Sequence, residues 1–163
     1  MSSRHIHKGI TWVDLENPTP ADVRRLMAEF DVDPHVGEEL LSPSVRAMAE
    51  KYGNCLYVIL HFPRHTSAGP LTREVDFIIG RSFIITARYA ELDSFQAFSK
   101  AFEAGAALHK DTRGDEHGGI IFARMLHSLY HTLNEEADSL SARLQKVEER
   151  IFEGYEKEMV ARL

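Results

Sequence analysis

Hydrophobic positions come in short, separated runs through the first half of the chain and at regular helical spacing near its end. Ile10 to Leu15 (ITWVDL) predicts a short strand. The next segment, NPTPADVRRLMAEF, starts a helix. Thr19 is the expected N-cap, Pro20 suits the first helical position, and Asp22 stands where a capping box needs an acceptor. DPHVGEELL repeats the pattern, with Asp33 as cap and Pro34 as first residue. RAMAEKYGNCLYVILHFP predicts two strands joined around Gly53-Asn54, followed by a loop from Arg64 to Pro70. EVDFIIGRSFIITARY, residues 74–89, divides at Gly80-Arg81-Ser82 into two apolar runs and predicts a β-hairpin. Asp93 is the expected cap of a helix, SFQAFSKAFEAG, that ends at Gly105, and HKDTRGDEHGG is expected to be loop.

After Ile120 the period changes. Leu126, Tyr130, Leu133, Ala137, Leu140, Leu144, Val147 and Ile151 alternate spacings of four and three, with charged residues between them. This is a heptad seam, and a helix packed on its own sheet or on a partner helix accounts for it. Gly154 interrupts the seam, and YEKEMVARL reads as the first turns of another helix. A β-rich first half followed by long helices predicts an α+β architecture. An ending in mid-element suggests that the natural protein is longer.

The apolar stretch 74–89 is too short and too interrupted to span a bilayer, which takes roughly 20 apolar residues. Arg81 at mid-span would cost ~2.5–3.5 kcal/mol. MSSRHIHKG lacks the apolar core of a signal peptide, and no window reaches transmembrane length. A chain of 163 residues, 44% apolar and 27% charged, fits one ordinary globular domain. Its net charge of −6, with no cationic run longer than Arg24-Arg25, argues against nucleic acid as a partner. The lone cysteine, Cys55, sits in an apolar run whose desolvation would raise its pKa rather than activate it. A soluble, cytoplasmic chain in a reducing compartment is expected.

Catalytic chemistry finds little footing. His127 and His131 have the spacing of two metal ligands on a helix, but Ser128 stands where a zinc protease needs Glu. No third ligand is evident, so a surface or packing role is the stronger reading. The same holds for His61 and His65. Gly80-Arg81-Ser82 lacks the second glycine of a nucleophile elbow. Nothing assembles into acid, base and nucleophile, and the chain is expected not to be an enzyme. Two carboxylate clusters remain. Glu38-Glu39 is expected early in the second short helix, where the helix dipole favours negative charge. Glu135, Glu136 and Asp138 read as a solvated helix face. Either pair alone would hold a hard divalent cation weakly, mostly through its water shell.

Several segments, in order, resemble the cytoplasmic domain of CorA-type magnesium transporters, with ZntB as a related branch. They are WVDL before a Pro-capped helix, VGEELL, the strand ending YVIL, VDFIIGRSFIITAR, and the long helix ending VEERIFEG. The resemblance implies a mixed or antiparallel sheet flanked by helices, an α/β/α sandwich with long C-terminal helices. It divides the chain into a sheet-and-helix part, 1–117, a heptad-patterned helix, 118–154, and the start of a stalk helix, 155–163. It also implies a homopentamer that meets the membrane only through segments beyond Leu163, on the cytoplasmic face. There a Gly-Met-Asn signature would follow the first of two transmembrane helices.

By the same resemblance, Glu39 and Glu38 correspond to an acidic pair that holds regulatory Mg²⁺ against a carboxylate of a neighbouring subunit, with Co²⁺ or Zn²⁺ as alternatives. Bound cation would keep the pentamer closed, and its loss would let like charges splay the subunits. Two departures stand out: Glu rather than Asp at position 39, and Arg46-Ala47-Met48-Ala49-Glu50 where the family carries Arg-Pro-Lys-x-Glu. The seam residues Leu126, Leu133, Leu140, Leu144, Val147 and Ile151 would serve packing or an interface. Competing readings are a free-standing scaffold that docks a helix on that seam and, far behind, a zinc hydrolase using His127 and His131.

Overall fold

The computed structural model describes residues 2–66, 69–107 and 117–152. Six strands form one mixed sheet: β1 (Ser2–His7), β2 (Ile10–Glu16), β3 (Met48–Tyr52), β4 (Cys55–Thr66), β5 (Gly69–Ile79) and β6 (Phe83–Arg88). Their spatial order is β1-β2-β6-β5-β4-β3, with β2 and β6 parallel and every other pair antiparallel. Helices α1 (Pro20–Phe30), α2 (Pro34–Glu39), α3 (Asp93–Ala107) and α4 (Gly118–Phe152) complete the described elements. The mixed sheet with flanking helices is the architecture the sequence implied.

Strand alternation sorts side chains onto two faces. Val13, Leu15, Ile85, Ala87, Ile78, Tyr57 and Ile59 pack with Val23 and Leu26 of α1 and with Val36 and Leu40 at α2. The other face carries Trp12, which lies edge-on to Phe98 and Phe102 of α3, and Phe77, whose ring centroid is 5.0 Å from that of Phe122 in α4. Ile121, Met125 and Leu129 are buried at four-residue spacing, so the first turns of α4 belong to this second core.

The helix starts follow the local chemistry. Thr19 caps α1, its hydroxyl accepting from the Asp22 amide while Asp22 Oδ2 accepts from the Thr19 amide, a complete capping box. The Asp33 side chain accepts from the His35 amide at the start of α2, with Pro34 as first residue. Gly118 opens α4 against the 80–83 turn, its amide donating to the Arg81 carbonyl. A Cβ at Gly118 would overlap the backbone oxygens of Gly80 and Phe83, so only glycine allows this approach.

Several expectations are corrected. The segment Ser2–His7, for which no element was expected, is an edge strand, joined to β2 by a Lys8-Gly9 turn in which both residues have positive φ. The loop expected from Arg64 to Pro70 is largely strand, because β4 and β5 run as a pair to Thr66 and Gly69. Helix α3 continues to Ala107 rather than ending at Gly105. Glu38 and Glu39 are not early in their helix. Helix α2 is six residues long and they are its last two, so the helix dipole opposes their charge there.

The chain divides into two compact units, 1–129 and 130–163. In the second unit the seam residues Leu140, Leu144 and Ile151 are exposed, Leu144 at 58%, and Leu133 and Val147 are half-buried. Leu126, in the first unit, is half-buried. No helix among the described residues is long and apolar enough to cross a membrane. Residues 153–163, where the stalk helix was expected to start, lie outside the described residues, as does most of the loop 109–119.

Candidate functional site

The C-terminal end of α2, the loop that follows it and the centre of the sheet meet in one polar cluster. Helix α2 ends at Glu39, and Pro43, four residues on, has no N–H with which a longer helix could satisfy the Glu39 carbonyl. Glu38 is exposed, and its carbonyl accepts from the Leu40 and Leu41 amides. Glu39 is half-buried and turns back towards the loop, where its Oε2 accepts from Ser44 Oγ at 3.2 Å. The Ser44 amide donates to Glu74 Oε1 at 2.9 Å. Glu74 Oε2 faces His61 Nε2 at 2.9 Å, directly across the β4–β5 pair. The same Nε2 is 3.0 Å from the Ser44 carbonyl. Both partners of this nitrogen are acceptors, so Nε2 carries the hydrogen. Ser44 is thereby tied to the sheet through its amide and its carbonyl, and to α2 through its hydroxyl.

Deeper in the sheet lies Asp76, two residues from Glu74 on the same strand face and wholly buried. Its Oδ2 accepts from the Tyr57 hydroxyl at 3.0 Å and from the Tyr89 hydroxyl at 3.2 Å. Burial, and then the charge of Glu74, push the Asp76 carboxyl up to about 8, although both tyrosines pull the other way. The tyrosines are themselves held well above their usual range, by burial first and by the charge of Asp76 next. Beside the cluster opens a cleft of about 590 Å³ that His61, Glu74 and Tyr89 line together with Ser44 and Arg73. Among the described residues, the buried side-chain atoms without a hydrogen-bond partner are Arg73 Nε and Asp76 Oδ1.

The other expected residues have surroundings of their own. His131 pairs with Glu135 at 3.5 Å on an exposed stretch of α4, and His127 is exposed. The side chain of His65 lies outside the described residues, while His61 is committed to Glu74 and Ser44. Cys55 is half-buried, and burial raises its thiol pKa. Among the described residues, no group of three or more His, Cys, Asp and Glu side chains is placed to hold a metal ion. Among the described residues, Glu38 and Glu39 are therefore joined by no third metal-ligating side chain. Sequence reasoning missed the His61–Glu74–Asp76–tyrosine network. The available signal was EVDFII, in which two carboxylates at alternate positions interrupt an otherwise buried strand.

Comparison with known proteins supplies the context. The family model described as CorA-like Mg²⁺ transporter protein matches residues 7–163. No curated protein matches the chain. The fold is similar to that of the complete CorA magnesium transporter from Methanocaldococcus jannaschii (TM-score 0.74, 13% identity). The match covers 94% of this chain and 47% of that one. The soluble domain of the same CorA gives TM-score 0.74 at 14% identity, covering 94% of this chain and 60% of that domain. The ZntB cytoplasmic domain from Vibrio parahaemolyticus RIMD 2210633 gives 0.65 at 16%, covering 89% and 57%. The chain thus spans about half to three-fifths of the length of these structures. With the family model matched over nearly its whole length, this chain belongs to the CorA-like Mg²⁺ transporter protein family.

Proposed function

We propose that this chain is the cytoplasmic regulatory domain of a divalent-cation transporter, with Mg²⁺ as the transported ion, and that it does no catalysis of its own. The observation that carries this reading is the family match over residues 7–163. Glu38 and Glu39 are the residues that would report cation. They stand at a helix end where the dipole offers their charge no support, and Glu38 is exposed. Two carboxylates from one chain satisfy few of a hard cation's oxygen positions. A second subunit's carboxylate would complete the set, and the bound ion would then bridge subunits of a homopentamer. Holding Mg²⁺ largely through its waters makes such a site weak, which suits a sensor of an abundant ion. Loss of the ion would leave like charges facing each other and favour opening.

The second reading is Zn²⁺ as the transported ion, favoured by the similarity of the fold to the ZntB domain. The test is limited proteolysis of the full-length protein in membranes, with and without Mg²⁺, for wild type and Glu39→Ala. Protection by millimolar Mg²⁺ in the wild type, reduced several-fold in the variant, is expected. Equal protection in both would remove Glu39 from the mechanism, and protection by Zn²⁺ alone would favour the second reading.

A further inference from the structure

Asp76 and Glu74 are arranged as a proton site. Asp76 lies between Ile59 of β4 and Ala87 of β6, its cross-strand neighbours, with no exposed surface. Its Oδ2 takes both tyrosine hydroxyls, and its Oδ1 meets no donor. The Glu74 carboxyl, 5% exposed, is within hydrogen-bonding reach of Asp76. Both of its oxygens already accept, one from the Ser44 amide and one from His61. Two ionised carboxylates side by side on one strand face, with so little exposed surface, repel strongly. One proton on Asp76 removes the repulsion and gives Oδ1 a role, as the O–H that donates to Glu74.

Among the described residues, the titratable and charged groups around the pair are Tyr57 and His61 from β4, Tyr89 from just beyond β6, Arg73, which lines the cleft beside Glu74, and Glu39 from α2, whose charge acts on the tyrosines. When the proton leaves, Asp76 is held at the sheet centre by two hydroxyls. Glu74 is the member that can yield, because its partner Ser44 belongs to a loop whose next residues, Val45 and Arg46, are exposed, Val45 at 97%.

We propose that Asp76 and Glu74 form a proton-operated latch: protonated, the pair lets Glu74 hold the loop 40–47 through the Ser44 amide, and loss of the proton releases that loop. Because Ser44 also donates to Glu39, release shifts the residue assigned above to cation sensing. That consequence rests on the cation reading, whereas the latch does not.

The test is an NMR titration of the 163-residue chain without divalent cations, which keeps its outcome separate from any failure of the cation reading. It follows the Asp76 carboxyl carbon and the Ser44 amide between about pH 5 and about pH 10. The Asp76 carbon is expected to titrate with a midpoint of about 8, and the Ser44 amide to move with the same midpoint. Asp76→Asn supplies a permanent N–H to Glu74 and a carbonyl to the tyrosines, so its Ser44 amide should stay still. Tryptic cleavage after Arg46 at about pH 9 should be several-fold slower in that variant than in wild type. An Asp76 carbon that titrates near the ordinary value of ~3.9, or a Ser44 amide that ignores Asp76, would overturn the latch. The wild-type titration decides the matter even if the variant fails to fold.

Discussion

Asp14 and Asp76 are both buried at the centre of the sheet, on opposite faces, and the chain deals with their charge in opposite ways. Asp14 accepts from Thr86 Oγ1 at 2.7 Å and from Arg88 Nε and Nη2 at 3.2 and 3.1 Å. Arg88 also reaches Glu16 at 3.1 Å, so one guanidinium serves two carboxylates, and Trp12 Nε1 in turn donates to Thr86 Oγ1 at 3.0 Å. Asp76 instead meets two hydroxyls and a second carboxyl. A buried charge can be matched by a counter-ion or removed by a proton. The first arrangement keeps the charge and pairs it with a guanidinium. The second changes with pH, and it is the one joined through Ser44 to the candidate cation residue Glu39.

The largest test of this contrast is Arg88→Met. It leaves Asp14 without its guanidinium and should cost about 3–5 kcal/mol in urea unfolding at neutral pH. A loss below about 1 kcal/mol would mean that water already screens the pair. Next come two matched substitutions with opposite expected signs. Asp14→Asn weakens charge-assisted hydrogen bonds and should cost about 1–3 kcal/mol. For Asp76 the folded value of about 8 lies above the unfolded value of ~3.9, so the folded chain holds the extra proton between them. Stability from this group is therefore full below about pH 4 and is lost as pH rises through about 8. The wild-type melting temperature should fall over that window, while Asp76→Asn should flatten the slope and melt several degrees higher at about pH 9. Equal slopes in the two proteins would place the pH dependence elsewhere.

Smaller effects sharpen the comparison further. Tyr57→Phe removes one of the two donors to Asp76 and should cost about 0.5–1.5 kcal/mol. It should also move the Asp76 titration to still higher pH, since that hydroxyl favours the ionised form. Leu144→Ala, at an exposed seam position, should change stability by less than about 0.5 kcal/mol. A clearly larger loss in urea unfolding would mean that the seam is covered in solution.

The parts of the fold legible in the sequence were those whose cause is local. The Thr19 capping box, the Pro34 start and the turn at Gly80-Arg81-Ser82 depend on neighbours within a few residues, and all three are present. Strand β1 was hidden because an edge strand exposed on most of its length carries little apolar alternation, and because Lys8-Gly9 is not the usual turn pair. Pro63 and Pro70 disguised the ends of β4 and β5. Strand β3 pairs with β4 only as far as Ile59, and β6 with β5 only from Val75. Among the described residues, both prolines therefore sit where their strands have no outer neighbour to receive an N–H. The acidic pair Glu38-Glu39 was visible, but its place at the end of α2 was not, because that depends on where the helix ends. The Asp76 cluster requires the β4–β5–β6 register, which places Tyr57, Tyr89, His61 and Glu74 around one carboxyl. No local pattern encodes that register.

The most direct measurement is ion flux through the full-length protein reconstituted in liposomes, at low and at millimolar Mg²⁺ on the side that bathes this domain. Mg²⁺ flux that is suppressed by Mg²⁺ on that side, with suppression weakened in Glu39→Ala, is the expected result. Absence of Mg²⁺ flux, or flux indifferent to Mg²⁺ on that side, would contradict the assignment of this chain as the regulatory domain of a Mg²⁺ transporter.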